Sequence, residues 1–202
     1  MKKLLAIGIL SMLLSTPFSI FVIAENSKEN REIVLFYSFN KTSIEKIVIA
    51  NISYNRLNMN NCPCFGNPGE PSLPAKGAYI LIPQGEKVSE IIVTSDEKIP
   101  LGSGFIINPV IQPVPLSENE SATIPTPNET IYNSDNMFPG KLFSEIGTYR
   151  CRGYNILILR FYPVQYKPLS GELFYYPNLS ISIKTNPDIN TSDLLRSLEK
   201  DK

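Results

Sequence analysis

The side chains here that could serve as nucleophiles or soft metal ligands are three cysteines, Cys62, Cys64 and Cys151. A cysteine nucleophile is normally activated by a neighbouring imidazole, and the chain contains no histidine. The same absence removes Ser-His pairs, histidine metal ligands and a histidine acid or base near neutral pH. Ser103 and Ser170 therefore have no base to activate them. A zinc site would need a fourth soft ligand, and a redox pair would need a helix-borne Cys-x-x-Cys; neither pattern is present. Asp and Glu are scattered singly, so no spacing singles out a carboxylate pair for acid/base work. Gly102-Ser103-Gly104 has no following helix and makes no phosphate cradle. No catalytic, cofactor-binding or metal-binding residue is expected.

The first residues speak for export. Lys2 and Lys3 precede an apolar run from Leu4 to Ala24, and Val22-Ile23-Ala24 gives way to polar Glu25-Asn26-Ser27. Charge, apolar core and small-residue end in that order form a secretory signal over residues 1–24. The rival reading is an uncleaved anchor, since the run approaches the ~20 apolar residues that span a bilayer; a membrane contact is expected only in that case. Pro17 and the Val-x-Ala end favour cleavage, and thus a secreted or cell-surface protein. In that compartment the cysteines are expected to form one disulfide, Cys151 with Cys62 or Cys64, because Cys62-Pro63-Cys64 is too short and stiff to close on itself. Lys plus Arg and Asp plus Glu are balanced at 19 each, and without a basic run nucleic acid is not an expected partner.

The elements after residue 24 read as strands separated by Pro, Gly and Asn. In Arg31 to Phe39, Ile33, Leu35, Tyr37 and Phe39 share one face and Val34 and Phe36 the other, which suits an inner strand. Ile44 to Tyr54 continues the pattern less cleanly, and Asn58 to Pro74 reads as a loop. Ala78 to Pro83 and Val88 to Ser95 flank Gln84-Gly85-Glu86-Lys87, a length that suits a hairpin. Gly102 to Pro115 carries three prolines and is expected as an edge strand or crossing segment. Ser117 to Asp135 is a polar stretch, expected as a long exposed loop. Tyr154 to Tyr162, Glu172 to Tyr176 and Leu179 to Ile183 read as a three-stranded meander, the last strand with one wet face. Thr191 or Ser192 ahead of Leu194, Leu195 and Leu198 suggests a short C-terminal helix. Short strands with frequent turns predict an all-β domain over residues 25–186, a β-sandwich or related barrel, with 187–202 as tail or linker.

Six Asn-x-Ser/Thr triplets occur, at Asn40, Asn51, Asn119, Asn128, Asn178 and Asn190. They matter only in a host that glycosylates exported proteins. Asn119 and Asn128, in the expected exposed loop, are then the best acceptors. Tyr162, Tyr166, Phe174, Tyr175 and Tyr176 cluster around one expected hairpin, where cross-strand packing rather than a ligand platform accounts for them.

Longer stretches carry a resemblance. Gly69-Glu70-Pro71-Ser72-Leu73-Pro74, Tyr79 to Pro83 and Val88 to Ser95 look like the opening of the pro-region of gingipain-type cysteine peptidases. Tyr132-Asn133-Ser134-Asp135, Phe138-Pro139-Gly140-Lys141, Arg152-Gly153 and Pro163-Val164-Gln165-Tyr166-Lys167-Pro168 recur there in the same order. The resemblance covers Asn67 to Lys184, and its Pro-x-Gln-Tyr-x-Pro hairpin (Pro163, Gln165, Tyr166, Pro168) is its most specific part. It implies a non-catalytic β-sandwich prodomain that assists folding of a caspase-like cysteine peptidase and keeps it latent. In that family a basic prodomain side chain blocks the enzyme's specificity pocket, and the position after Phe-Pro-Gly, here Lys141, looks like the matching one. A pocket with an acidic floor accepts a long cation as it would a substrate side chain. The peptidase's own catalytic Cys and His have no counterpart here, so the three cysteines are not expected to be nucleophiles. The alternative is a stand-alone exported binding or surface structural module.

Overall fold

The computed structural model describes residues 31–111, 124 and 126–188. The expected signal segment, Asn119, Asn190 and the expected C-terminal helix lie outside these residues. Among the described residues thirteen strands and one four-residue helix occur, so the fold is all-β. No described helix is long and apolar enough to cross a membrane.

Two three-stranded antiparallel sheets supply most of the core. In one, β13 (Asn178–Pro187) lies between β1 (Arg31–Ser38) and β7 (Glu86–Ser95). In the other, β10 (Tyr154–Phe161) lies between β6 (Lys76–Ile82) and β9 (Phe143–Cys151). Period-two alternation sends Leu179, Ile181 and Ile183 inward from β13, and Leu157, Leu159 and Phe161 inward from β10. These residues join Leu35, Ala78, Ile80 and Ile82 in one cluster. The rings of Tyr37 on β1 and Phe161 on β10 meet across it, with centroids 5.0 Å apart. A third sheet, in which β12 (Glu172–Tyr175) lies between β11 (Val164–Lys167) and β8 (Ile99–Gly102), adds Val164, Tyr166, Leu173 and Tyr175. Two smaller pairs, β2 (Ser43–Ile49) with β3 (Ile52–Asn58) and β4 (Cys64–Phe65) with β5 (Leu73–Pro74), complete the strands.

Strand positions follow the sequence pattern, while several partners differ from it. The turn after β6 does not close a hairpin; it carries the chain from one sheet into the other, with Glu86 N–H donating to Pro83 O at 3.2 Å. Likewise the three C-terminal strands belong to three different sheets rather than to a meander. Periodicity fixes which side chains point inward but leaves the strand partner open. β1 is an edge strand rather than an inner one, and the face that carries Phe36 is turned to solvent. The crossing segment is as expected: Ile107 and Pro109 make isolated bridges to Asn55 and Pro71. The stretch expected as loop contains α1 (Glu129–Tyr132), capped by Asn128, whose side chain accepts from Thr130 N–H and Ile131 N–H. A polar N-cap with an acidic first-turn residue stabilises even so short a helix.

The expected disulfide is not present; all three cysteines are free. The reason is distance. Cys64 pairs with Pro74, next to the Lys76–Phe161 end of the β6/β10 ladder, whereas Cys151 pairs with Tyr154 at the opposite end. Seven residues of strand separate those ends, ~23 Å at ~3.3 Å per residue, far beyond the ~7 Å Cα limit for a bridge. Cys62 is buried and burial pushes its thiol pKa up, whereas Cys151 is exposed. Titration with a thiol reagent should therefore label Cys151 first in the native protein and Cys62 only on unfolding. A native protein with no reactive thiol at Cys151 would contradict this arrangement.

Candidate functional site

The Pro-x-Gln-Tyr-x-Pro stretch follows β10 directly, and Pro163, Gln165, Tyr166 and Pro168 are all buried. Burial of Gln165, at 2% exposed, requires partners for its amide. It finds them in the loop between α1 and β9. Gln165 Oε1 accepts from Gly140 N–H at 3.0 Å, and Nε2 donates to Lys141 O at 2.9 Å and to Tyr162 O at 3.3 Å. The free edge of β11 holds the same loop by backbone: Phe138 N–H donates to Tyr166 O at 2.7 Å and Tyr166 N–H to Phe138 O at 2.8 Å. On the far side of Lys141, Tyr162 N–H donates to Leu142 O at 2.8 Å.

The loop is thus fixed before and after Lys141, while Lys141 itself is exposed. Its ammonium lies 5.9 Å from the centre of the Tyr162 ring, and among the described residues it forms no ion pair. Gly140 makes the turn possible: its φ is +72°, and a Cβ there would lie 2.8 Å from Met137 O. A side chain would face both the left-handed backbone cost and that contact. The hairpin is anchored in turn. Tyr166 OH donates to Phe105 O at 2.8 Å, and Gly171, at φ +66°, lets Phe105 backbone approach so closely that a Cβ would sit 2.6 Å from Phe105 N. Tyr132, at the end of α1, donates through its hydroxyl to Ile107 O at 2.8 Å.

Lys141 and the Pro163–Pro168 hairpin therefore meet in one place, whereas Arg152 and Gly153 lie in the turn at the far end of β9 and β10, and the aromatic cluster divides. Tyr166 and Tyr175 are core, whereas Tyr162 lies under Lys141 and Phe174 under Lys98. Asn128 is exposed and its side-chain oxygen is used in capping. What sequence reasoning missed is the part played by Gln165: the motif was visible, but not that its amide holds the lysine loop. The buried phenols have a consequence of their own. Burial raises the pKa of Tyr37, Tyr132 and Tyr166 above the usual value near 10. Since the folded form then holds these protons more tightly than the unfolded chain, their contribution is present below about pH 10 and lost as pH rises further. Thermal midpoints should begin to fall above about pH 9, where the Cys62 thiol, its pKa raised by burial, starts to be drawn toward ionisation, and fall more steeply beyond about pH 10, with tyrosinate absorbance appearing together with unfolding. Full ionisation of every tyrosine in the folded protein would contradict this.

Among the described residues no group of three His, Cys, Asp or Glu side chains is placed to hold a metal. A cleft of about 480 Å³ opens between β7 and β9, but its lining mixes Glu86, Glu90 and Glu145 with Lys87 and Arg150 and converges on no reacting point.

Comparison with known proteins follows this geometry. No curated protein matches the sequence. Solved structures of similar fold include two gingipain pro-domains. One is described as the complex of Porphyromonas gingivalis RgpB pro- and mature domains, with 14% identity, 88% of this chain and 90% of that chain covered, and a TM-score of 0.63. The other, concerned with the zymogenic latency of gingipain K from Porphyromonas gingivalis, has 19% identity, coverage of 87% and 97%, and a TM-score of 0.62. The model of the family described as Propeptide_C25 matches residues 22–199. A match over that length, on a fold of the same kind, makes this chain a member of the C25 propeptide family and a non-catalytic domain.

Proposed function

We propose that the chain is an exported pro-domain that assists folding of a gingipain-like cysteine peptidase and holds it latent, with Lys141 entering the enzyme's specificity pocket. The observation that carries this reading is the presentation of Lys141: a long cation with no ion pair among the described residues, on a loop whose backbone is fixed on both sides by the domain itself. Fixing the loop beforehand removes most of the ordering cost of binding. An acidic pocket then receives the ammonium as it would a substrate side chain. The family supplies the partner class, since one similar structure is a complex of pro- and mature domains.

The test is inhibition of a gingipain-like peptidase by the purified chain. Lys141→Ala should weaken inhibition by about tenfold or more, the equivalent of ~1.4 kcal/mol, and Lys141→Glu should weaken it further by placing like charges together. Undiminished inhibition by Lys141→Ala would remove Lys141 from the pocket.

A further inference from the structure

A sheet side turned to solvent is normally polar, but the outward side of the β6-β10-β9 sheet is not. Burial alternates strictly along β6, and its outward positions are Gly77, Tyr79 and Leu81. Tyr79 is 76% exposed and Leu81 57%. The register sets Ile158 beside Tyr79 and Ile156 beside Leu81. On the other flank Tyr149, itself exposed, lies beside Ile156, and Gly147 lies beside Ile158. The Tyr149 ring approaches Gly147 so closely that a Cβ there would sit 3.2 Å from it, which keeps this side flat. Arg160 is the one charged residue in these outward rows, and its guanidinium lies 3.4 Å from the centre of the Phe65 ring.

The outward row of β10 runs Tyr154, Ile156, Ile158, Arg160 and continues to Tyr162, the ring beneath the Lys141 ammonium. The Tyr162 hydroxyl lies 3.2 Å from Ser144 Oγ, on β9. The apolar side and Lys141 therefore form one continuous surface. Three strands ~4.8 Å apart and about eight residues long present a side of a few hundred Å². The largest apolar patch on a monomer is commonly of this size and often functional, and this side is a substantial part of the ~800 Å² that each partner contributes to a stable interface.

We infer that this side of the β6-β10-β9 sheet is a docking surface for the catalytic domain of the same peptidase whose pocket receives Lys141. The inference rests on the pro-domain reading above. A partner that grips Lys141 comes up against Tyr162, and from there the outward row of β10 leads over Arg160 and Ile158, beside Tyr79. The peptidase surface beside its acidic pocket is accordingly expected to be flat, apolar and poor in charge, because a charge buried against Tyr79 and Leu81 would have no partner.

The test measures binding of the full chain to a gingipain-like peptidase domain whose catalytic cysteine is replaced, comparing wild type, Tyr79→Thr/Leu81→Thr and Lys141→Ala. Threonine keeps strand preference at exposed positions, and circular dichroism checks the fold. The double variant should bind about tenfold more weakly or worse, as loss of central aromatic contacts does. Hydroxyl-radical footprinting of the wild-type complex, which needs no variant, should show Tyr79 and Tyr149 protected. If wild type binds and inhibits while the double variant binds equally well and Tyr79 stays reactive, the docking surface is wrong and the pro-domain reading stands. If wild type neither binds nor inhibits, both fall. A wild-type homodimer that the double variant dissolves, with peptidase binding unchanged, would assign this side to a second copy and overturn the inference.

Discussion

Replacing Gln165 by Leu should turn this chain from an inhibitor of a lysine-accepting C25-type peptidase into its substrate. A carbonyl under attack has to enter the enzyme's oxyanion site. In the wild-type chain the Lys141 carbonyl accepts from Gln165 Nε2 at 2.9 Å and the next carbonyl, Leu142 O, accepts from Tyr162 N–H at 2.8 Å. Both peptide units around the Lys141–Leu142 bond are thereby turned toward the domain, so on the proposed reading the bond should resist cleavage while the side chain fills the pocket. Leucine matches glutamine in size but removes three hydrogen bonds, which should also lower stability by roughly 2–3 kcal/mol at ~1 kcal/mol each. Mass spectrometry of the mixture should show the wild-type chain intact and Gln165→Leu cut between Lys141 and Leu142. Cleavage at many sites would indicate general unfolding instead, and an intact variant that still inhibits would show that Gln165 does not protect the bond. Gln165→Glu should be cut at least as readily when ionised, since its carboxylate still accepts from Gly140 N–H but is held, buried, against Lys141 O and Tyr162 O with no proton to donate.

Phe161→Ala should cause a large loss of stability, about 3–5 kcal/mol. Phe161 is fully buried, closes the inward row of β10 and meets Tyr37 from the facing sheet. Its removal opens a cavity between two sheets that are each fixed by their own ladders and cannot collapse onto it. Against a typical total of ~5–15 kcal/mol this leaves a marginal domain, with the thermal midpoint lowered by about 10 °C at roughly 2–4 °C per kcal/mol. Phe174→Ala offers the contrast. Phe174 is only half-buried, its ring facing Lys98, and its loss should cost clearly less. Thermal unfolding followed by circular dichroism compares the two; equal losses would mean that the core does not sit where the buried residues place it.

How much of this was legible in the residues differs from element to element. The alternation in Leu179 to Lys184 gave both the strand and its wet side, because a half-buried strand writes its environment into every second residue. The same alternation could not say that β10, β12 and β13 enter three different sheets. Pairing is decided by which inward rows fit together, and those rows are far apart in the chain. The disulfide expectation failed for a related reason: Cys62, Cys64 and Cys151 were counted without knowledge of the β6/β10 ladder that holds them apart. Tyr79 and Leu81 were visible as strand residues, yet their exposure appears only once Ala78, Ile80 and Ile82 are seen to own the core side. Helix α1 had a signal, Asn128 followed by Glu129, that was submerged in a polar stretch. At the candidate site, order of motifs brought Lys141 and the Pro163–Pro168 hairpin to notice together, while the hydrogen bonds joining them through Gln165 needed the fold.

The central claim is that this domain keeps a C25-type peptidase latent by occupying its active-site pocket. Active-site labelling measures it most directly: a covalent probe carrying a lysine side chain is offered to the peptidase with and without a molar excess of the chain. Occupancy by Lys141 predicts that labelling stops when the wild-type chain is present and resumes with Lys141→Ala. Labelling that proceeds unchanged on a peptidase saturated with the wild-type chain would contradict the account.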